Sequence, residues 1–186
     1  DQVQSRGLGD VYKRQVQARL QTPGARVLAQ RDIDAEFTSV FIANGASGLR
    51  PFTSADQLVE LKGRRLAFGS ESSTSGRLMP QFFMGENGVK PDDLAGGGPG
   101  FSGSHDATVA VVQSGAYEVG ALKEQVWRSN VADGRVDPGK VSVIWRTPPY
   151  VDYHWVVRPG MDERFGEGFT DKLQTALLDI SAETEN

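Results

Sequence analysis

The chain has no cysteine, which excludes disulfides, thiolate nucleophiles and cysteine-ligated zinc or iron–sulfur centres. Histidine occurs twice, as His105 and His154, too few and too widely spaced for a zinc site. There is no excess of basic charge. Twenty Lys and Arg stand against 24 Asp and Glu, a formal charge of −4, so the reserve of cations that a duplex phosphate backbone demands is missing and no nucleic-acid partner is expected. No apolar run approaches the ~18 residues needed to span a bilayer. The G-x-x-x-x-G-K-[ST] phosphate loop and the G-x-S-x-G elbow are absent, and Gly96–Gly98 neither follow a predicted strand nor form a G-x-G-x-x-G fingerprint. What remains is an ordinary globular composition, 38% hydrophobic and 24% charged over 186 residues, with a high count of 22 glycines that suits tight turns and backbone-lined sites.

Residues 1–15 show neither a period of 2 nor one of 3.6. Asp10 to Gln15 resemble the in-frame translation of a sequencing-library adapter, so residues 1–15 are expected to be non-native and the fold reading starts at Val16. From there strands and helices alternate. Strands are predicted over 36–43, 65–69, 117–122, 141–145 and 154–158, from their β-branched and aromatic content and the turn residues that bound them. Helices are predicted over 54–61, with Ser54 as N-cap and Gln57 completing a capping box, over 73–86 with a kink at Pro80, over 106–113, over 124–130, and over 169–180 with Thr170 as cap. Residues 95–100 read as a loop. Such alternation predicts an α/β fold with a mostly parallel sheet, and such sheets place their ligand at the carboxyl ends of the strands, where helices begin.

Three constellations occupy that position. Ser70-Glu-Ser-Ser-Thr-Ser-Gly76 follows the predicted strand 65–69. The first turn of a helix has amides without an internal acceptor and a dipole that favours negative charge, so hydroxyls beside them make an anion site that needs no cation. One Ser would suffice as a cap; four consecutive hydroxyl residues, Ser72 to Ser75, exceed that need. In Phe101-Ser-Gly-Ser-His-Asp106, His105 opens a second helix and offers a ring N–H, with a charge that titrates near neutrality. In Thr147-Pro-Pro-Tyr-Val-Asp-Tyr-His154, paired prolines stiffen a connection suited to a hinge, and Asp152 is placed to accept a proton carried by a ligand. Residues 60–149 carry ten Lys or Arg and ten Asp or Glu. An anion held there would depend on amides and hydroxyls rather than on bulk charge.

Leu61-Lys-Gly-Arg-Arg-Leu-Ala-Phe-Gly69, Ser72-Ser-Thr-Ser-Gly76, Phe101-Ser-Gly-Ser-His-Asp106 and Val143-Ile-Trp-Arg-Thr-Pro-Pro149, together with Ser39-Val-Phe-Ile-Ala43, resemble the phosphate/phosphonate-type substrate-binding proteins of ABC transporters, nearest to the selenate-binding subgroup. The resemblance covers residues 16–180. It implies a type II periplasmic-binding-protein fold of two α/β lobes, with lobe two over 56–149 and a partial lobe one from 16–55 and 150–186, truncated on its N-terminal side along with any export signal. It implies no enzyme activity and no cofactor. The family's Ser-Thr-Ser cradle falls on Ser73, Thr74 and Ser75, and its helix-opening histidine on His105. An acidic or amide ligand position falls on Glu124 or Gln125, and a hinge carboxylate on Asp152 or Tyr153. Gln125 and Tyr153 depart from the carboxylates that hold an amino group in the phosphonate branch, which argues against an aminophosphonate.

The implied function is capture of a small tetrahedral oxyanion (phosphonate, phosphite, phosphate or selenate) in the periplasm and its delivery to ABC permease subunits, by a protein that is monomeric when full length. Two rival readings share the pocket: a phosphate-ester enzyme, which would need a metal or an arginine clamp, and an oxyanion-sensing domain of a signalling protein. With lobe one incomplete, the strands near 39–43 and 154–158 are expected to lose partners and to expose Val40, Ile42, Trp155 and Val157.

Overall fold

The computed structural model describes residues 22–180; the adapter-like segment and the start of the partial lobe lie outside the described residues. In chain order the elements are β1 (Arg26–Ala29), β2 (Ser39–Asn44), β3 (Leu66–Phe68), α1 (Met79–Glu86), β4 (Gly100–Phe101), α2 (His105–Gln113), β5 (Val119–Lys123), α3 (Glu124–Ala132), β6 (Val141–Arg146), β7 (Trp155–Val157), α4 (Met161–Phe165) and α5 (Phe169–Leu178). The chain divides into two units, one formed by 38–149 and the other by the segments before 38 and after 149.

Unit 38–149 is built on a five-stranded sheet in the order β4-β3-β5-β2-β6. β3 pairs parallel with both β4 and β5, whereas β2 pairs antiparallel with β5 and β6. The sheet is therefore mixed rather than mostly parallel. The reason is β2, which runs against both of its neighbours, with Phe41 opposite Ala121 on one side and Trp145 on the other. This strand was expected in the partial lobe 16–55, but it lies inside the sheet of the second unit. Val40 and Ile42 accordingly have no solvent exposure, and the expected exposed edge is absent at these positions.

β2 reads Ser-Val-Phe-Ile-Ala-Asn, a continuous apolar run of the kind that a strand covered on both faces requires. Its side chains alternate between two cores. Phe41 and Ala43 pack with Leu58, Leu61, Leu66, Phe68 and Met84, whereas Val40 and Ile42 pack with Val109, Val112, Leu122 and Val141. Alternation at a period of 2 puts these clusters on opposite faces. Thus α1, through Met84, covers one face, and α2, through Val109 and Val112, covers the other. Gly120 on β5 admits α2 closely, since a Cβ there would stand 2.6 Å from Thr108 Cγ2 and 2.8 Å from Val112 Cγ2.

Several local expectations are revised. Residues 55–61 form a 3-10 helix in which Ser54 makes no side-chain cap; Gln57 Oε1 instead accepts from the amide and hydroxyl of Thr53 at 2.7 and 3.0 Å. The break in the 73–86 helix precedes Pro80. Thr74–Leu78 is a π-helical turn leading into α1. Pro80 has no N–H to offer the carbonyls one turn back, and the wider turn is how the chain accommodates it. The supposed 95–100 loop ends in the short strand β4.

In the other unit, β1 pairs antiparallel with β7, Arg26 opposite Val157. Val157 is buried and Trp155 is 56% exposed. α5 is tied to β1 by Gln174 Nε2 donating to the Leu28 carbonyl at 2.8 Å. Thr170 does not cap α5; Gly168 holds the N-cap position, and the Thr170 amide and hydroxyl both donate to Asp162 Oδ1 at 2.7 Å, which holds the Asp162 carboxyl below its ordinary range.

Candidate functional site

The parallel strands β3 and β4 end at one edge of the sheet, and the loops that follow them are stitched together there. The amides of Ser102 and Gly103 donate to the carbonyls of Phe68 and Gly69 at 2.9 and 3.1 Å. This brings the hydroxyl-rich turn after β3 beside the start of α2. Ser73 opens the turn: its Oγ accepts from the Gly76 amide at 2.9 Å. Ser73, Thr74 and Ser75 are each only 3% exposed. Ser104 caps α2, its Oγ accepting from the Ala107 amide at 3.2 Å, so His105 is released from capping and is free to face the cradle.

His105 sits between two elements. Its Nδ1 accepts a hydrogen bond from the Lys123 amide at 3.3 Å, and its Nε2 lies 3.5 Å from Ser75 Oγ. An Nδ1 that accepts carries no proton, so in the neutral ring the proton is on Nε2, the nitrogen beside Ser75. Burial, reinforced by the Lys123 ammonium, pushes the imidazolium pKa down to about 4. His105 is therefore an uncharged N–H donor at neutral pH and not the titrating cation that its ordinary pKa suggested. Gly76 makes the approach possible: a Cβ at that position would stand 2.9 Å from His105 Cε1 and 2.9 Å from Ser73 Oγ.

One polar atom in the cradle has no partner. Thr74 Oγ1 is buried and makes no hydrogen bond among the described residues. A hydroxyl in that condition costs of order 1–3 kcal/mol, and native structures retain such groups at sites with a use for them.

The acidic-or-amide position after β5 separates into two roles. Glu124 is a buried carboxylate: Thr38 Oγ1 and Arg146 Nε donate to Oε2 at 2.6 and 2.8 Å, and Arg128 donates to Oε1 through Nε at 2.8 Å and Nη2 at 2.6 Å. Burial alone would raise its pKa, but the bonds from Arg146, Thr38 and Arg128 outweigh that and bring it to about 2. With its oxygens so engaged, Glu124 anchors α3. Gln125, the next residue, is exposed in the first turn of α3. Three helix starts thus converge: the turn before α1, α2 at His105, and α3 just after Lys123.

Asp152 and Tyr153 belong to the other unit. Asp152 has no solvent exposure, and its amide donates to the Asp34 carbonyl at 2.9 Å. Tyr153 stands edge-on to Phe37, with centroids 6.1 Å apart, and under the Arg31 guanidinium at 6.0 Å. Burial, then the Asp152 and Asp34 carboxylates, raise its phenol to about 12. Asp34 is itself buried and bonded by Arg31 Nη2 at 2.9 Å.

Sequence reasoning missed Ser39, Lys123 and Gly76. Ser39 Oγ donates to the Ser75 carbonyl at 2.7 Å, and nothing in a strand-initial Ser advertises that. Gly76 was legible in principle, as the residue closing Ser-Thr-Ser. Among the described residues no group of three His, Asp or Glu is placed to hold a metal ion, and no helix is long and apolar enough to cross a membrane.

The model of a protein family described as the periplasmic phosphonate substrate-binding protein of ABC transporters matches residues 13–186. The probable ABC transporter phosphite binding protein PhnD1 of Prochlorococcus marinus is 50% identical over 165 residues, which is 89% of this chain and 56% of that protein. The phosphate-import protein PhnD of Mycolicibacterium smegmatis is 28% identical over 124 residues, 63% of this chain and 37% of that one. Among solved structures, Prochlorococcus marinus PhnD1 in complex with methylphosphonate superposes with a TM-score of 0.80 at 48% identity, covering 92% of this chain and 63% of that one. The chain thus spans less than two thirds of each of these proteins. Its α/β architecture is that of the two-lobe periplasmic binding proteins, and the chain belongs to the phosphonate substrate-binding protein family of ABC transporters.

Proposed function

We propose that this protein binds a small tetrahedral phosphorus oxyanion of the phosphite and methylphosphonate class and presents it to the membrane permease of an ABC importer. The observation that carries the reading is the buried, unpartnered Thr74 Oγ1, in a turn whose neighbours Ser75 and His105 are also donors. An oxyanion resting on this turn would accept from Thr74 Oγ1, Ser75 Oγ, His105 Nε2–H and the first amides of the turn, each an uncharged donor. Such sets recognise geometry and protonation state more than net charge. Gln125, from the start of α3, and Asp152 or Tyr153 are further proposed ligand contacts. The ligands named for the relatives favour phosphorus oxyanions over selenate.

The protein works without catalysis in this reading: His105 Nε2 carries the ring proton and so takes none from the Ser75 hydroxyl beside it, and Glu124 is held by its cation partners. Its place is the periplasm, its partners are the permease subunits, and it acts as a monomer.

Calorimetric titration with methylphosphonate, phosphite, phosphate, sulfate and selenate tests the proposal. Saturable binding of methylphosphonate or phosphite, weakened by Thr74→Ala, is expected. No heat with any of the phosphorus oxyanions, or equal binding by wild type and Thr74→Ala, would overturn it.

A further inference from the structure

We infer that Ser39, on a strand distant in sequence, is the positioning residue of the cradle, and that Pro80 is what creates the need for it. This rests on the oxyanion-binding reading above.

Pro80 has no N–H, so the one donor that would serve the Ser75 carbonyl in a π turn, or the Gly76 carbonyl in an α turn, is missing. Both carbonyls are buried with their residues and must be satisfied elsewhere. The sheet does this. The Gly69 amide, just past β3, donates to the Gly76 carbonyl at 2.9 Å, and Ser39 Oγ, at the start of β2, donates to the Ser75 carbonyl at 2.7 Å. The π turn thus keeps its own bonds to the Ser73 and Thr74 carbonyls, from the Leu78 and Met79 amides, while the Ser75 and Gly76 carbonyls are fastened to two strand ends.

Ser39 is itself fixed. It is wholly buried, its amide donates to Thr147 Oγ1 at 3.0 Å, and its carbonyl accepts from the Thr147 amide at 2.9 Å. In the ladder it lies directly opposite Lys123, whose amide holds His105 Nδ1. One rung of the sheet, Ser39 opposite Lys123, thus holds both halves of the donor set. Ser39 Oγ fixes the peptide after Ser75, and the Lys123 amide fixes the ring whose other nitrogen meets Ser75 Oγ. Ser39 touches no ligand in this scheme; it sets the angle at which Thr74 and Ser75 present their donors.

Ser39→Ala removes the hydroxyl and little volume. It is expected to weaken methylphosphonate binding about tenfold, the loss of one uncharged hydrogen bond. Loss of the Ser39 bond should move the Ser75 carbonyl carbon resonance of the ligand-free protein upfield, toward the value of an unbonded carbonyl, and a loss of affinity at an unchanged melting temperature separates positioning from a merely structural role. Titration and the resonance are measured on wild type, Ser39→Ala and Thr74→Ala together. Wild-type affinity in Ser39→Ala beside lost affinity in Thr74→Ala overturns the positioning role and leaves the oxyanion site standing. An unmoved Ser75 carbonyl resonance overturns it equally. If wild type binds no oxyanion, the functional reading fails and takes this inference with it.

Discussion

The Lys123 amide points at His105 Nδ1 across 3.3 Å, and that one contact decides what the imidazole can do. It fills the acceptor nitrogen, assigns the proton of the neutral ring to Nε2 and so turns a titratable side chain into a fixed donor. Burial, the larger cause, and the Lys123 charge keep the ring neutral down to about pH 4.

The ring's pKa yields a pH prediction. The folded value of about 4 lies below the ordinary 6.5, so between those values the unfolded chain binds the proton that the folded protein refuses. Stability therefore rises with pH across this window and is lost as pH falls from 6.5 towards 4. In ligand-free protein, nitrogen-15 spectra of the imidazole should show the Nε2–H tautomer from pH 5 to 8 without a midpoint. A titration centred near 6.5 would refute the assignment.

Thr74 offers a separation of binding from stability. Thr74→Val keeps the shape and deletes a buried hydroxyl that has no partner among the described residues. Ligand-free protein should become more stable by about 1 kcal/mol, because an unsatisfied polar group is removed, while oxyanion affinity falls by about 1–3 kcal/mol. Thermal melts with and without methylphosphonate measure both. A variant less stable than wild type in the absence of ligand would show that the hydroxyl is satisfied.

Gly76→Ala tests the close approach of ring and turn. Its Cβ would meet His105 Cε1 at 2.9 Å, Nδ1 at 3.2 Å and Ser73 Oγ at 2.9 Å. The ring must rotate away or the turn must open, at a cost of about 1–3 kcal/mol in stability, and the Nε2 donor is lost with either. Unchanged melting and binding would mean that the ring has room to yield.

Glu124→Gln probes the anchor of α3. The carboxylate's pKa of about 2 lies below the ordinary 4.5, so its contribution is present above pH 4.5 and is lost as pH falls through 2. The variant should be less stable at pH 7 and should converge on wild type as the pH approaches 2. A constant difference across that range would show that the pairing with Arg146, Thr38 and Arg128 is energetically neutral.

Much of the site was legible because it is written locally. Ser73, Thr74, Ser75 and His105 announce themselves by hydroxyls and a histidine placed where a strand turns into a helix, and the structure brings Ser75 and His105 to within 3.5 Å. The errors came from long-range terms. No local pattern says that β2 inserts antiparallel between β5 and β6, so both the sheet's composition and the boundary at 55 were misjudged. The titration of His105 was misread for the same reason: the burial that lowers its pKa, and the Lys123 charge that adds to it, come from packing against residues distant in the sequence. Cap assignments at Ser54 and Thr170 failed because the side-chain acceptors at these helix starts are Gln57, which takes the Thr53 amide, and Asp162, which takes the Thr170 amide.

β2 and β6 bring the two ends of unit 38–149 side by side, with the Thr147 amide on the Ser39 carbonyl and the Ser39 amide on the Thr147 hydroxyl. A continuous segment whose ends meet is a portable module. Its sheet, both cores and the Ser75–His105 pair all lie within it. Excised, or spliced into a surface loop of an unrelated carrier, it would arrive with its donors already oriented, as adjacent termini permit for inserted domains generally.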